Sequence, residues 1–249
     1  GNHALAVAYA AEKLGLGGVT VFVPSTAPRA KVGKLRQFAV ELVEVGETYD
    51  DAHHAAEDFR RDTGAIFVHA YDENRTVAGQ GTIGSEIIED DPDIDAILVP
   101  VGGGGMIAGI ALAIKNVAPH VKIIGVQPEA SPALRDSLRD GRVYEEYPAM
   151  PTIADGLAGG IGKICFEVAQ KSIDDVIVVE ERRVREAVAE LVTKEQLLVE
   201  GSGGIGVAAL LHNSSRFRGQ RVAIVLSGSN IDPRVLVDCL REGQGEHSG

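Results

Sequence analysis

The sequence has no tryptophan, only two cysteines and two methionines, and few aromatic residues, at 4% of its 249 positions. Cys165 and Cys239 lie far apart in apolar helical patterns, without CxxC spacing or a neighbouring histidine, so we expect reduced core thiols and no zinc site. The adjacent His53 and His54 point about 100° apart on a helix, and we predict that both are surface residues rather than ligands.

Long apolar runs and an excess of basic residues are also absent. No stretch approaches the roughly 18 apolar residues that a membrane helix needs, and no signal peptide is recognisable, so we expect a cytoplasmic protein with no membrane partner. The 24 lysines and arginines are outnumbered by 36 aspartates and glutamates, for a formal net charge of −12. Such a surface repels nucleic acid, which is therefore not an expected partner.

What the sequence does contain is a repeated alternation of short apolar runs with helical patterns. The predicted strands are VTVFV, VELVEV, AIFVHA, DAILVPV, VKIIGVQP, DVIVV and RVAIVLSG. Near-continuous apolar strands separated by helices are typical of parallel sheets covered on both faces, which predicts an α/β fold. The polar interval AYDENRTVAGQGT predicts a boundary between a small domain at 1–70 and a larger one at 71–249.

Three glycine-rich segments could form a ligand-binding loop. GQGTIG (79–84) and GSGGIG (201–206) match G-x-G-x-x-G, and Gly103, Gly105 and Ala108 match its G-x-G-x-x-A variant. A dinucleotide loop must follow a strand and open a helix. GQGTIG follows a polar loop and GSGGIG follows the helical pattern of KEQLLVE, so only the third segment has the right context.

That third segment, DAILVPVGGGGMIAGIALAIKN, runs from a strand through four glycines into an apolar helix. Without Cβ atoms, Gly102 to Gly105 let backbone N–H groups surround an anion at the positive end of the helix that starts near Met106. We interpret the loop as a phosphate cradle. Two alternatives stay open: Glu129 is spaced to bind a ribose hydroxyl of a nicotinamide cofactor, or the glycines form only a tight structural turn.

Together with other motifs, the loop resembles that of the fold-type II pyridoxal-phosphate enzymes, of tryptophan synthase β-like fold, in particular the threonine dehydratase and serine racemase group. The motifs occur in the family's order along the whole chain: GNHA (1–4), GQGTIGSEI, VPVGGGGMIAGIA, TIADG (152–156), VEGSGGIGVAALL (199–211) and LSGSNID (226–232). The resemblance implies two open parallel-sheet domains covered by helices, pyridoxal 5′-phosphate as cofactor, a small amino acid as substrate and a homodimer.

The same resemblance implies a role for each site residue. Asn2 would donate its side-chain amide to the ring hydroxyl oxygen of the cofactor, Glu200 would lie near the ring, and Ser227 would face the pyridine nitrogen. A hydroxyl there does not favour a protonated ring, which suits elimination of a β-hydroxyl group. Gly156 and the backbone around Asn2 and His3 would contact the substrate. The phosphate would be bound by backbone N–H groups of Gly102, Gly103, Gly104, Gly105 and Met106.

Each of these assignments has a structural alternative. Asn2 and His3 could cap the first helix. Glu200 could be a solvated carboxylate at a helix end, and Ser227 could belong to an ordinary turn. Their occurrence alongside the glycine loop is what favours the functional interpretation.

The family's chemistry also needs a lysine that forms a Schiff base with the cofactor and removes the α-proton of the substrate. In the family this lysine lies upstream of the asparagine loop in a Ser-Phe-Lys type segment, and no lysine of this sequence lies in such a segment. We therefore expect an N-terminally truncated enzyme that carries no catalytic residue and is inactive by itself. A non-catalytic fragment that binds pyridoxal phosphate or a similar anion is the alternative of another class.

One departure from the group's pattern bears on the reaction. Serine racemases resemble one another in a V-E-P-S-N-A-D-D segment, whose Glu and last Asp bind a divalent metal. Here VQPEASPAL places Gln127 and Ala133 at those two positions, which removes the charge that a hard cation needs. We therefore predict no metal and a threonine ammonia-lyase (threonine dehydratase) acting on L-threonine or L-serine. Serine racemase and hydroxyaspartate dehydratase remain alternatives.

Overall fold

The computed structural model describes residues 1–244 and divides the chain into two compact units, Gly1–His69 and a second that begins at Ala70. All strand pairs in both units are parallel, which confirms the predicted α/β fold class. No helix within residues 1–244 is both long and apolar enough to cross a membrane.

The first unit contains a two-stranded sheet and three helices. Its elements in chain order are α1 (Asn2–Leu14), β1 (Thr20–Val23), α2 (Arg29–Leu35), β2 (Glu41–Glu44) and α3 (Tyr49–Thr63). Strands β1 and β2 pair in parallel. A small core joins α1, β1 and α2, with Ala8, Val23 and Leu35 nearly or fully buried, so the apolar faces of helices and sheet are the reason that this unit is compact.

The segment AIFVHA, predicted to be a buried strand, is not a strand in the structure. Ile66 is 86% exposed and Val68 is 47% exposed, and within residues 1–244 the sheet of this unit has only β1 and β2. A strand requires a neighbour for its N–H and C=O groups, and an apolar run cannot supply one. The Val68 carbonyl oxygen instead accepts a hydrogen bond from Nε2 of His3 at 2.9 Å.

The prediction that His53 is a surface residue is wrong, although His54 is exposed as expected. The ring of His53 is half-buried, with its centroid 5.6 Å from that of Phe67 and 5.1 Å from that of His69. Its Nδ1 atom is buried without a hydrogen-bond partner. The cause is tertiary, because Phe67 and His69 of the irregular segment 65–69 cover this face of α3. In the described part of the chain, no group of three or more His, Cys, Asp or Glu residues is arranged to hold a metal ion.

The second unit is built on a four-stranded parallel sheet of order β5-β4-β3-β6. The strands are β3 (Ala96–Pro100), β4 (Lys122–Pro128), β5 (Asp175–Val179) and β6 (Val222–Ile224). The helices are α4 (Asn74–Asp90), α5 (Gly105–Val117), α6 (Ala133–Asp140), α7 (Lys163–Ser172), α8 (Glu181–Lys194), α9 (Gly201–His212) and α10 (Pro233–Gln244).

Helices cover both faces of this sheet, as the continuous apolar strands predicted. Ile97 and Val99 of β3 belong to a buried cluster with residues of α4, α5 and α7, whereas Ala96 and Leu98 belong to a second cluster with residues of α8 and α9. All four side chains are fully buried. Each large apolar side chain buried in this way contributes roughly 1.5–3 kcal/mol, so the sheet provides a rigid base for the loops at its ends.

Two glycine-rich segments that lacked the context of a dinucleotide loop lie in helices. The polar residues before GQGTIG are themselves helical, since α4 begins at Asn74, and a Cβ at Gly81 would lie 3.2 Å from the carbonyl oxygen of Gly109 in α5. These glycines therefore allow α4 and α5 to pack closely. GSGGIG opens α9 and does not follow a helix directly, because α8 ends at Lys194.

Candidate functional site

The strand order of the second unit has one reversal, between β3 and β6. Strands β3, β4 and β5 follow one another across the sheet, and β6 returns to the other side of β3. In open α/β sheets, ligands bind outside the carboxyl ends of the strands at such a reversal. The loops that follow β3 and β6 are therefore the first place to look for a site.

The loop after β3 contains the four glycines. Strand β3 ends at Pro100 and α5 begins at Gly105, with Gly104 as the N-cap residue at φ 94° and ψ −4°. No side chain caps this helix, so the first N–H groups of α5 are available at the positive end of the helix dipole. This arrangement suits a phosphate group.

The glycines are required because other backbone and side chains approach the loop closely. A Cβ at Gly102 would lie 2.7 Å from the carbonyl oxygen of Gly156, and one at Gly103 would overlap the ring of Tyr71. At Gly104 it would lie 2.7 Å from Cβ of Cys165. Side chains at these positions would displace the loop or its neighbours, so the backbone itself forms the surface that a ligand meets.

Glu200 is the N-cap residue of α9. Its side chain is 2% exposed, and Oε2 accepts a hydrogen bond from the backbone N–H of Asn230 at 3.1 Å. Its own backbone N–H donates to the carbonyl oxygen of Gly228 at 3.0 Å. Glu200 is therefore not a solvated carboxylate but a buried one that ties α9 to the segment after β6.

Gly156, in the TIADG segment, lies between the glycine loop and α9. Its N–H donates to Oγ of Ser202 at 2.9 Å. A Cβ at Gly156 would lie 3.0 Å from that oxygen and 3.8 Å from Oε1 of Glu200. The structure thus brings together Gly102, Gly156 and Glu200, which lie far apart in the sequence.

Ser227 lies at the end of the neighbouring strand. Leu98 of β3 pairs with Ile224 of β6, and the N–H of Val225 donates to the carbonyl oxygen of Leu98 at 3.0 Å. Ser227 follows two residues later and is exposed. A Cβ at Gly203 of α9 would lie 3.2 Å from its carbonyl carbon, so Ser227 borders the same edge as Glu200.

Asn2 and His3 belong to the first unit. Helix α1 begins at Asn2 and its N-cap residue is Gly1, with no side-chain capping bond. The N-cap position of this helix is therefore occupied by Gly1 and not by Asn2 or His3. His3 is half-buried, and burial lowers the pKa of its imidazole. Because its Nε2–H donates to the Val68 carbonyl oxygen, His3 connects α1 to the irregular segment at the end of this unit.

Glu129 is already engaged elsewhere. Its Oε1 accepts a hydrogen bond at 3.0 Å from the backbone N–H of Glu181, the first residue of α8. The carboxylate that suggested a nicotinamide ribose therefore caps a helix N-terminus, for which its charge is suited.

The fold and the loops described above define a class of enzyme that binds a phosphorylated cofactor at a sheet reversal, and comparison with known proteins defines the family. Residues 1–228 match the model of the pyridoxal-phosphate dependent enzymes. The chain belongs to this family, whose members depend on pyridoxal phosphate.

Among curated relatives, the L-threonine ammonia-lyase of Thermotoga maritima is 42% identical over 244 residues, which cover 98% of this chain and 60% of that protein. A serine racemase of Oryza sativa subsp. indica is 34% identical, over 96% of this chain and 72% of that protein. Among solved structures, the processed form of threonine deaminase isoform 2 from Solanum lycopersicum superposes with a TM-score of 0.89 at 31% identity, covering 97% of this chain and 71% of that one. The chain thus spans about 60% of the length of the first of these relatives.

The residues of the second unit fit pyridoxal 5′-phosphate. The uncapped N-terminus of α5 and the bare glycine backbone suit its phosphate, and the exposed Ser227 and Gly156 border the same edge of the sheet. The buried carboxylate of Glu200 has the backbone N–H of Asn230 as a partner. Nothing in this arrangement conflicts with a flat, phosphorylated aromatic ligand.

Sequence reasoning missed three residues that shape this edge. Ser202 accepts the hydrogen bond from Gly156 N–H, while Tyr71 and Asp72 contact the glycine loop and the start of α7. Ser202 lies inside a quoted motif, but nothing in its spacing indicates a partner 46 residues away. Tyr71 and Asp72 lie in the polar interval whose composition predicts a domain boundary and gives no sign of contacts with the glycine loop.

Proposed function

We propose that this chain binds pyridoxal 5′-phosphate in its second unit and that the protein catalyses β-elimination of L-threonine or L-serine. The observation that carries the proposal is the glycine loop at the sheet reversal, with the N-terminus of α5 behind it and Ser227 at the end of the adjacent strand. Two of the relatives given above, an L-threonine ammonia-lyase and a threonine deaminase by name, favour this reaction.

In this proposal the phosphate is bound by backbone N–H groups of Gly102 to Gly105 and of Met106. Ser227 would donate a hydrogen bond from its hydroxyl group to the pyridine nitrogen, and Glu200 would lie near the ring. Asn2 donates its side-chain amide to the ring hydroxyl oxygen. The cofactor, when bound, supplies a sink for the electrons left at the substrate Cα.

For the substrate, we propose that the backbone at Asn2 and His3 helps to hold the carboxylate of the amino acid and that Gly156 lies beside the substrate. The net reaction removes the α-proton and the 3-hydroxyl group as water, and hydrolysis of the released enamine gives a 2-oxoacid and ammonia. The lysine that would accept the α-proton is not assigned to any residue of this chain. Catalysis by this chain alone is therefore not expected, and binding of the cofactor is the property to test in it.

The binding test is equilibrium dialysis of the chain against pyridoxal 5′-phosphate and against pyridoxal, which lacks the phosphate. We expect the phosphorylated ligand to bind at least about tenfold more tightly. Gly103→Ala should abolish this preference, because its Cβ would overlap Tyr71, whereas Gly79→Ala is the matched control, since a Cβ there meets nothing within 4 Å. Equal binding of the two ligands by the parent chain would contradict the proposal.

Serine racemase is the second candidate, because rice and maize serine racemases are also similar to this chain. Gln127 argues against it. Its side chain is fully buried, and its Oε1 accepts hydrogen bonds from the backbone N–H groups of Leu134 and Arg135 at 3.0 and 3.1 Å. A neutral amide therefore already fills the position at which the racemase pattern has a metal-binding carboxylate.

The reaction is tested in the full-length protein by measuring 2-oxobutanoate formation from L-threonine, with and without Mg²⁺. Elimination without added metal is expected, with L-serine and 3-hydroxyaspartate as competing substrates. Racemisation faster than elimination, or strict dependence on Mg²⁺, would favour the racemase. We further propose that the protein is a homodimer, which the family resemblance supports and which light scattering of the purified full-length protein tests. We also propose that it is cytoplasmic and binds no nucleic acid, the latter supported by its net charge of −12 and tested by a gel-shift assay.

A further inference from the structure

Tyr71 and Asp72 lie between the glycine loop and the start of α7, and we refer to this pair as the Tyr71–Asp72 clamp. The pair precedes α4 in the chain and belongs to the second unit. Its contacts reach residues 103–105 on one side and 162–165 on the other. Both residues are half-buried, although the segment that contains them is polar in sequence.

Asp72 caps α7 from a distant part of the chain. Its Oδ2 accepts a hydrogen bond from Lys163 N–H at 3.0 Å, and its Oδ1 accepts one from Ile164 N–H at 2.9 Å. The N-cap residue of this helix is Gly162, which has no side chain, and a Cβ there would overlap the Asp72 carboxylate. A carboxylate at this position satisfies two N–H groups and lies at the positive end of the helix dipole.

Tyr71 packs directly on the glycine loop. A Cβ at Gly103 would overlap its ring, and one at Gly105 would lie 2.8 Å from its Cα. Its carbonyl oxygen accepts a hydrogen bond from the thiol of Cys165, with Sγ 3.6 Å away. Tyr71 therefore touches both the loop and α7.

The start of α7 completes the enclosure of the loop. The N–H of Gly162 donates to the carbonyl oxygen of Gly103 at 3.1 Å, and Cβ of Cys165 is the neighbour that a Cβ at Gly104 would meet. Glycine has the greatest backbone freedom of any residue, and four in succession have no side chains with which to anchor themselves. Contacts from outside the loop must therefore determine the directions of its N–H groups.

We propose that Tyr71 and Asp72 are positioning residues for phosphate binding. Asp72 fixes the first turn of α7, and that turn and the Tyr71 ring hold Gly103 to Gly105 so that their N–H groups converge on the phosphate of the cofactor. This inference rests on the proposed cofactor binding. It predicts that the clamp contributes to the affinity that the phosphate provides and not to the affinity for the ring.

The test uses equilibrium dialysis to compare the dissociation constants of pyridoxal 5′-phosphate and pyridoxal for the parent chain and for its variants. Tyr71→Ala should weaken pyridoxal 5′-phosphate binding by about tenfold or more while pyridoxal binding changes by less than about twofold. Tyr71→Phe retains the ring and should bind like the parent. Asp72→Asn keeps the size of the side chain but loses its charge and one acceptor, so an intermediate loss of about three- to tenfold is expected.

Circular dichroism establishes that each variant is folded, and Tyr71→Leu replaces Tyr71→Ala if the smaller side chain prevents folding. An unchanged affinity for pyridoxal 5′-phosphate in the folded Tyr71 variants, or an equal loss for both ligands, overturns the positioning role while leaving the proposed function intact. A parent chain that does not prefer the phosphorylated ligand overturns the proposed function, and this inference with it.

Discussion

Gln127→Met should destabilise the protein although the two side chains have similar volumes. Gln127 is fully buried in β4. Its Oε1 accepts two hydrogen bonds from the first turn of α6, at Leu134 and Arg135, and its Nε2 lies 3.4 Å from the Val101 carbonyl oxygen. One amide thus satisfies a helix N-terminus and contacts the residue before the glycine loop.

The magnitude follows from the groups that methionine leaves without a partner. A buried N–H that loses its acceptor costs about 1–3 kcal/mol, and Leu134 N–H is buried whereas Arg135 N–H is partly so. The apolar methionine regains part of this by avoiding burial of an amide. We expect a net loss of about 2–4 kcal/mol in the free energy of unfolding.

Urea unfolding followed by circular dichroism measures this difference. The matched control is Gln170→Met, the same substitution at an exposed position of α7, which should change stability by less than about 0.5 kcal/mol. If Gln127→Met and Gln170→Met destabilise equally, or if the Gln127 variant loses less than about 0.5 kcal/mol, then the amide does not cap α6 in the way that the distances indicate.

Three further predictions concern single groups. Burial lowers the pKa of His3 in the folded protein below its ordinary value of 6.5. As the pH falls below 6.5, the unfolded chain therefore takes up a proton more readily than the folded protein, and the free energy of unfolding should decrease. His3→Gln should remove this part of the pH dependence, as measured by unfolding titrations. Desolvation raises the pKa of Cys165 to about 12, so the folded protein at pH 8 should not react with a thiol reagent at this residue, and rapid labelling of Cys165 would show that its thiol is not buried. Ser202→Ala leaves the Gly156 N–H without its acceptor and should cost about 1–2 kcal/mol, whereas Ser215→Ala at an exposed position of a short 3₁₀ helix should change the urea midpoint little.

The alternation of apolar runs with helical periods was sufficient to predict the parallel sheets. A strand buried on both faces needs apolar side chains at nearly every position. β3 is apolar and buried throughout, and β4 is apolar except at Lys122 and Gln127, whereas β5 is exposed at Asp175 and alternates half-buried with buried residues after it. The same reasoning failed for AIFVHA, because the apolar composition of a segment does not reveal whether a neighbouring strand is present. GQGTIG, which lacks the sequence context of a dinucleotide loop, lies within α4, where its glycines serve helix packing, with Gly84 lying against the backbone of Ile110.

The site divides in the same way. The sequence by itself determined the glycine loop and its place between a strand and a helix, because that signal is local and chemical: four residues without Cβ atoms before an apolar helix. It also identified the family through motifs in a fixed order.

Only the tertiary structure decided what surrounds the loop. Gly156, Ser202 and Glu200 meet because α9 and the TIADG segment come to the same edge of the sheet, and Asp72 reaches Lys163 across 91 residues. Such contacts depend on strand order and helix packing, and no spacing in the sequence encodes them. The sequence therefore predicts the chemistry of the loop, whereas the contacts that hold its N–H groups in place are formed only in the folded structure.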